Sequence, residues 1–135
     1  MHIIRGAALL YATLSAGVVA FQIALAVGVP WGAYAMGGAF PGQFPPALRI
    51  AALVQAMFLA TLVAIVMARS GLILNGWSRR AHWLVWIVVA FAAISLVLNV
   101  TTPSAGERAI WAPVALLLLV SSMIVAIKSA GKGRT

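Results

Sequence analysis

RIAALVQAMFLATLVAIVMAR, residues 49 to 69, contains no Asp, Glu, Lys or Arg between its two terminal arginines. A helix needs about 20 apolar residues to cross a ~30 Å hydrocarbon core, and this stretch has that length. Three further intervals repeat the pattern: Arg5 to Arg49, Arg80 to Glu107 and Arg108 to Lys128 hold no charged residue inside them. Each contains an apolar run of similar size. The chain therefore reads as all-α, a bundle of four transmembrane helices in a single integral membrane domain over residues 1–135. The expected spans are residues 7–29, 49–68, 81–101 and 105–128.

Composition agrees. At 64% apolar and 7% charged residues, the chain lies far from the soluble norm of roughly 45–50% and 25%. One acidic residue, Glu107, stands against nine Lys and Arg, for a net charge of +8. In a soluble protein that excess would suggest nucleic acid. Here the basic residues cluster at helix ends, where they face anionic lipid and set orientation, so membrane lipids and no nucleic acid are the expected partners. The absence of cysteine removes disulfides, thiol redox chemistry and thiolate metal sites. Ala24-Leu25-Ala26 has the small-x-small form of a signal-peptide cleavage site. The uncharged run Gly6 to Gly28 is 23 residues, however, beyond the usual apolar core of about 7–15, and reads as a span.

Between the first two spans lies VPWGAYAMGGAFPGQFPPAL, residues 29 to 48, with four Gly and four Pro interleaved with Trp31, Tyr34, Phe40 and Phe44. No helix survives that density of breakers. Uncharged and aromatic, the loop is expected to lie against the membrane with its rings at headgroup level. Asn75-Gly76 marks a turn between the second and third spans. Ser104 and Glu107 read as a capping box opening the fourth, satisfying orphan amide donors, and Pro113 predicts a kink within it.

Arg5, Arg69, Arg79, Arg80, Lys128, Lys132 and Arg134 fall at one end of the spans, and only Arg49 and Arg108 at the other. The positive-inside rule then places both termini in the cytoplasm and the Pro/Gly loop outside, in a cell inner membrane. Small residues four apart recur in the first span (Ala8, Ala12, Ala16, Ala20, Ala24, Gly28) and in the second (Ala52, Ala56, Ala60, Ala64, Ala68). Such residues permit close backbone approach, and the expected result is a tight antiparallel crossing. A four-residue step drifts by about 40° per turn on a straight helix, so three or four consecutive members can share a face. The competing reading is that alanine is merely abundant.

Chemistry-bearing residues are few. His2 and His82 lie at the cytoplasmic level, away from Glu107, so no Ser-His-acid set can form and no haem ligation is expected. No span interior carries a carboxylate, which disfavours proton-coupled transport. No catalytic residue, metal ligand or cofactor is assigned. The uncharged polar residues are more informative: Gln22, Gln55 and Asn99 all fall in the outward third of their spans, at the level where Arg49, Glu107, Arg108 and Trp111 begin or end helices. Thr13, Ser15, Thr61, Ser121 and Ser122 in the other half can bond to their own helix backbones. Arg49, Asn99, Glu107, Arg108, Trp31, Gln22 and Gln55 are thus the candidate ligand-binding residues. They form either a structural glue between helices or the polar end of a small pocket roofed by the loop. Glu107 is expected to approach Arg49, or else to do no more than cap its own helix with Ser104.

PWGAYAMGG (residues 30 to 38), PPALRIA (45 to 51) and NVTTPSAGERAIWAP (99 to 113) resemble motifs of uncharacterised small bacterial four-helix integral membrane proteins, which share a PWG…GG…P…LR loop and a later N…S…ER…W.P segment. The matching positions are Pro30, Trp31, Gly32, Gly37, Gly38, Pro46, Leu48, Arg49, Asn99, Ser104, Glu107, Arg108, Trp111 and Pro113. The resemblance implies a four-helix membrane fold and carries no activity.

The sequence reading is of a non-enzymatic membrane protein, an accessory or interaction subunit with an outward pocket for a lipid or small ligand, partnered by another membrane protein or by its own copies. A small oligomeric transporter or channel is the alternative. An enzyme ranks third, since Glu107 and Arg108 offer one acid/base and no nucleophile.

Overall fold

The computed structural model describes residues 2–132, and within them the chain forms four long helices: α1 His2–Ala26, α2 Pro46–Arg69, α3 Ala81–Thr101 and α4 Ala105–Lys132. Each is long and apolar enough to cross a membrane. α3 matches its expected span and α4 begins where expected, at Ala105, whereas both ends of α1, the start of α2 and the end of α4 differ by a few residues. α1 ends at Ala26 because Gly28 turns the chain with φ of 100°. Val29 N–H reaches Ala24 O at 2.9 Å while Gly28 N–H reaches Leu25 O at 3.2 Å, the paired bonds that close a helix C-terminus on a glycine. α2 starts at Pro46, where a fixed φ and a missing N–H suit the first helical position. α2 closes on Gly71 as α1 closes on Gly28, with Leu72 N–H bonded to Met67 O at 3.1 Å.

α1 packs along α2 and α3 along α4, and α1 also meets α4; the α2–α3 seam is much thinner. Packing differs between the two ends. Near the termini, Ile4, Ala8, Tyr11, Leu62, Val66, Val85, Val88 and Val125 from all four helices form one buried cluster. At the opposite end, which carries the 27–45 loop and the 102–104 turn, the buried cluster is only Leu25, Ala35, Phe44 and Ala52, from α1, the loop and α2. α3 and α4 contribute nothing to that second cluster. Phe58 and Phe91 meet edge-on, ring centroids 5.1 Å apart, between the closed terminal end and the open loop end.

The alanine stripes behave differently from expectation. Ala8, Ala52, Ala56 and Ala68 are buried, but Ala16, Ala20 and Ala60 are exposed on the bundle surface. The buried face of α1 runs instead through Ile4, Ala7, Ala8, Tyr11 and Ser15, at three- and four-residue spacings, and resumes at Leu25. That spacing tracks one face of a helix, whereas a strict four-residue step walks off it. Thr13, Thr61, Ser121 and Ser122 each bond to their own helix backbone, as hydroxyls inside helices do when no other partner is in reach.

One polar junction at the terminal end escaped the sequence reading. Arg69 donates from Nε to Ser129 Oγ at 2.9 Å, from Nη1 to Ser78 O at 2.8 Å and from Nη2 to Ser129 O at 3.2 Å. It ties the end of α2 to the end of α4 and to the 70–80 turn. In that turn Asn75–Trp77 forms a 3₁₀ helix, and Arg80 sits 5.0 Å from the Trp77 ring centroid.

Candidate functional site

The Pro/Gly loop folds into two short 3₁₀ turns, Gly32–Tyr34 and Met36–Gly38. Gly32 admits no side chain: an added Cβ would lie 1.9 Å from Phe40 O, because the chain doubles back and Gly32 N–H bonds to Gly42 O at 2.9 Å. Gly37, at φ of 70°, turns its N–H away from the loop and toward α4. There it donates to Glu107 Oε2 at 2.8 Å.

That carboxylate is the centre of a junction between the loop and the α3–α4 turn. Thr102 Oγ1–H donates to the same Oε2 at 3.0 Å, and Ser104 N–H donates to Thr102 Oγ1 at 3.3 Å. Glu107 N–H donates to Ser104 Oγ at 3.2 Å, which is one half of the capping box. The reciprocal half is absent: the Glu107 side chain spans to the loop, and Thr102 serves Ser104 N–H in its place. Ser104 Oγ–H continues to Ala33 O at 2.9 Å, and Trp111 Nε1–H donates to Tyr34 O at 2.9 Å. Three side chains from the start of α4 therefore hold the loop down.

Neither Arg49 nor Arg108 hydrogen-bonds to the Glu107 carboxylate. Arg49 Nε donates to Phe44 O at 2.8 Å and Nη2 reaches Gln43 Oε1 at 3.4 Å, and its guanidinium lies over Gly28 at the end of α1. A cation there complements the negative end of the helix dipole. Arg108 Nη2 donates to Thr102 O at 3.0 Å. The expected approach of Glu107 to Arg49 does not occur, and the alternative of capping alone also fails, since the carboxylate bonds outside its own helix. Trp31 stacks on Phe21, rings 4° from parallel and 6.3 Å apart, while Phe21 also meets Trp111 at 4.7 Å.

Beneath the loop lies a cavity of about 740 Å³. All four helices line it, together with Tyr34 to Gly37 and Phe44 of the loop. Of the seven candidate residues, Gln22, Gln55, Asn99 and Glu107 face this space, whereas Arg49, Arg108 and Trp31 stand outside it. The walls are otherwise largely apolar and aromatic, with Leu59, Phe91, Leu98, Trp111 and Leu118 among them. Gln55, Ile94 and Leu98 both line the cavity and are exposed, so the space opens sideways through the thin α2–α3 seam. Asn99 Nδ2 is occupied by Ser95 O at 2.7 Å; the amides of Gln22 and Gln55 make no side-chain hydrogen bond among the described residues. Among the described residues no three His, Asp or Glu gather where they could hold a metal ion.

Sequence reasoning named Gly37 and Tyr34 as loop residues but not as partners of Glu107 and Trp111, and it missed Thr102 altogether. Gly37 and Tyr34 act through main-chain groups, which leave no side-chain signature. Thr102 had a signal, its place two residues before the cap Ser104 in Thr102-Pro103-Ser104.

Four apolar spans make the chain a multi-pass integral membrane protein. No protein-family model, curated protein or solved structure matches it, so what the cavity does rests on its own chemistry.

Proposed function

We propose that the chain is a non-enzymatic protein of a cell inner membrane, an accessory or interaction subunit whose loop end faces outward and whose cavity takes a lipid or small amphiphilic ligand. The observation that carries this reading is the cavity itself: about 740 Å³ with mostly apolar walls and a cluster of amides and one carboxylate at its loop end. That size and this mix of apolar walls and a few placed polar groups are typical of small-molecule sites. The side opening lies within the stretch of helix that crosses the hydrocarbon, which gives an amphiphile a path from the bilayer. The excess of basic residues at the terminal end supports a cytoplasmic placement of both termini.

Purification in native lipid followed by mass spectrometry tests the reading, with Ala115→Phe as control. Ala115 is buried and lines the cavity, and the added ring fills part of it. A species that co-purifies with the unaltered protein and is depleted from the variant is the expected result. Identical lipid profiles for the two would remove the cavity as a binding site.

A further inference from the structure

We infer that the cavity selects an amphiphile with a cationic ammonium headgroup, which Glu107 receives; this rests on the ligand-binding reading above and specifies its ligand. The chain carries nine Lys and Arg, yet no Lys, Arg or His lines the cavity, and its one acidic residue does. The two arginines at the same end are committed elsewhere, Arg49 to Phe44 O and Arg108 to Thr102 O. An anionic headgroup would meet a carboxylate and no countercharge.

The carboxylate itself is half-satisfied. Both of its hydrogen bonds, from Gly37 N–H and Thr102 Oγ1–H, fall on Oε2, and Oε1 receives none from the described residues. Both donors are uncharged, so neither gives the carboxylate a countercharge, and Glu107 lines the cavity, where a cationic headgroup supplies one. Aromatic residues line the same space. Trp111 is one turn along α4 from Glu107 and lines the same space, as residues four apart share a helix face. Tyr34 lines it too, its ring packed so closely on Gly106 that an added Cβ would lie 2.7 Å from the ring. A carboxylate and aromatic rings lining one cavity are the groups that bind ammonium through charge and cation–π attraction. The apolar tail then lies along Leu59, Phe91 and Leu98 toward the α2–α3 opening.

The test compares decyltrimethylammonium, decanol and decyl phosphate binding to the full chain in maltoside micelles, which contain no competing amine, by titration calorimetry corrected for partition into empty micelles. The ammonium probe is expected to bind about tenfold tighter than the alcohol, with the phosphate weakest. Glu107→Gln keeps a carbonyl oxygen for Gly37 and Thr102, and should erase the difference between the ammonium and alcohol probes. Equal binding of all three probes to the unaltered protein would overturn the headgroup assignment and leave the pocket standing. No binding of any probe would remove the pocket as well. Since the probe comparison uses the unaltered chain, the inference stays testable even if Glu107→Gln does not fold. Adding phosphatidylethanolamine to the micelles separates two sources of the same chemistry. Competition with the probe assigns the site to an aminolipid, and undiminished probe binding assigns it to a free membrane-dissolved amine.

Discussion

Glu107 Oε2 and the backbone N–H of Gly37 meet at 2.8 Å across 70 positions of chain. This bond couples the Pro/Gly loop to the first turn of α4, and through Thr102 it also holds the end of α3. One carboxylate thus joins the three segments that close the loop end, and the same residue borders the cavity.

Replacing Glu107 with Ala strands the Gly37 N–H and the Thr102 hydroxyl, and should cost about 1–3 kcal/mol. A double-mutant cycle in detergent, read by thermal unfolding, separates the partners. Glu107→Ala and Thr102→Val should couple by about 1 kcal/mol, whereas Glu107→Ala and Arg49→Ala should add within about 0.5 kcal/mol. Strong coupling to Arg49 would mean that the two charges interact after all.

The four spans were legible because charge is excluded from the hydrocarbon so strongly that Arg49, Arg69, Arg80 and Glu107 mark helix ends by themselves. The Pro and Gly of 29–48 announced the break between α1 and α2, but not the two short 3₁₀ turns within it or the start of α2 at Pro46, and its doubling back through Gly32 and Gly42 depends on main-chain bonds that no side chain announces. Arg49 was misread for a related reason. Its nearest acceptors are the Phe44 carbonyl and Gln43, local groups that compete well with a distant carboxylate. Gln22, Gln55, Asn99 and Glu107 share one cavity, and their common depth was readable from helix rise alone; the rotational direction of Trp31 was not.

The Arg69 junction should be the main polar support of the terminal end. Arg69→Ala removes three donated hydrogen bonds and should lower stability by about 1–2 kcal/mol, discounted for partial exposure. Ser129→Ala removes one of these three bonds, along with the hydroxyl's own bond to Val125 O, and should cost less. Thermal unfolding of the two variants beside the unaltered protein checks the order, and a larger loss for Ser129→Ala would contradict it.

Orientation is open to direct test. Reporter fusions after Arg80 and at Thr135 should behave as cytoplasmic, and one after Gly38 as external, because basic residues concentrate at the terminal end. An external signal from the Thr135 fusion would reverse the bundle and turn the cavity toward the cytoplasm.

The alanine positions give the sharpest contrast between pattern and packing. Ala8 and Ala56 are buried at 0% and 4% exposure, and a leucine at either must displace neighbours in a closely packed membrane interface. Ala8→Leu and Ala56→Leu should each lower stability by about 1–3 kcal/mol, the usual cost of overpacking. Ala16, Ala20 and Ala60 belong to the same four-residue series but stand exposed on the bundle surface, where a leucine simply meets acyl chains that are as apolar as itself. Their leucine variants should unfold within about 0.5 kcal/mol of the unaltered protein. The comparison is informative because the five substitutions are chemically identical, so only the face of the helix differs. Equal destabilisation across all five would mean that the exposed alanines are covered in the membrane, which would direct attention to a second copy of the chain packed on that face.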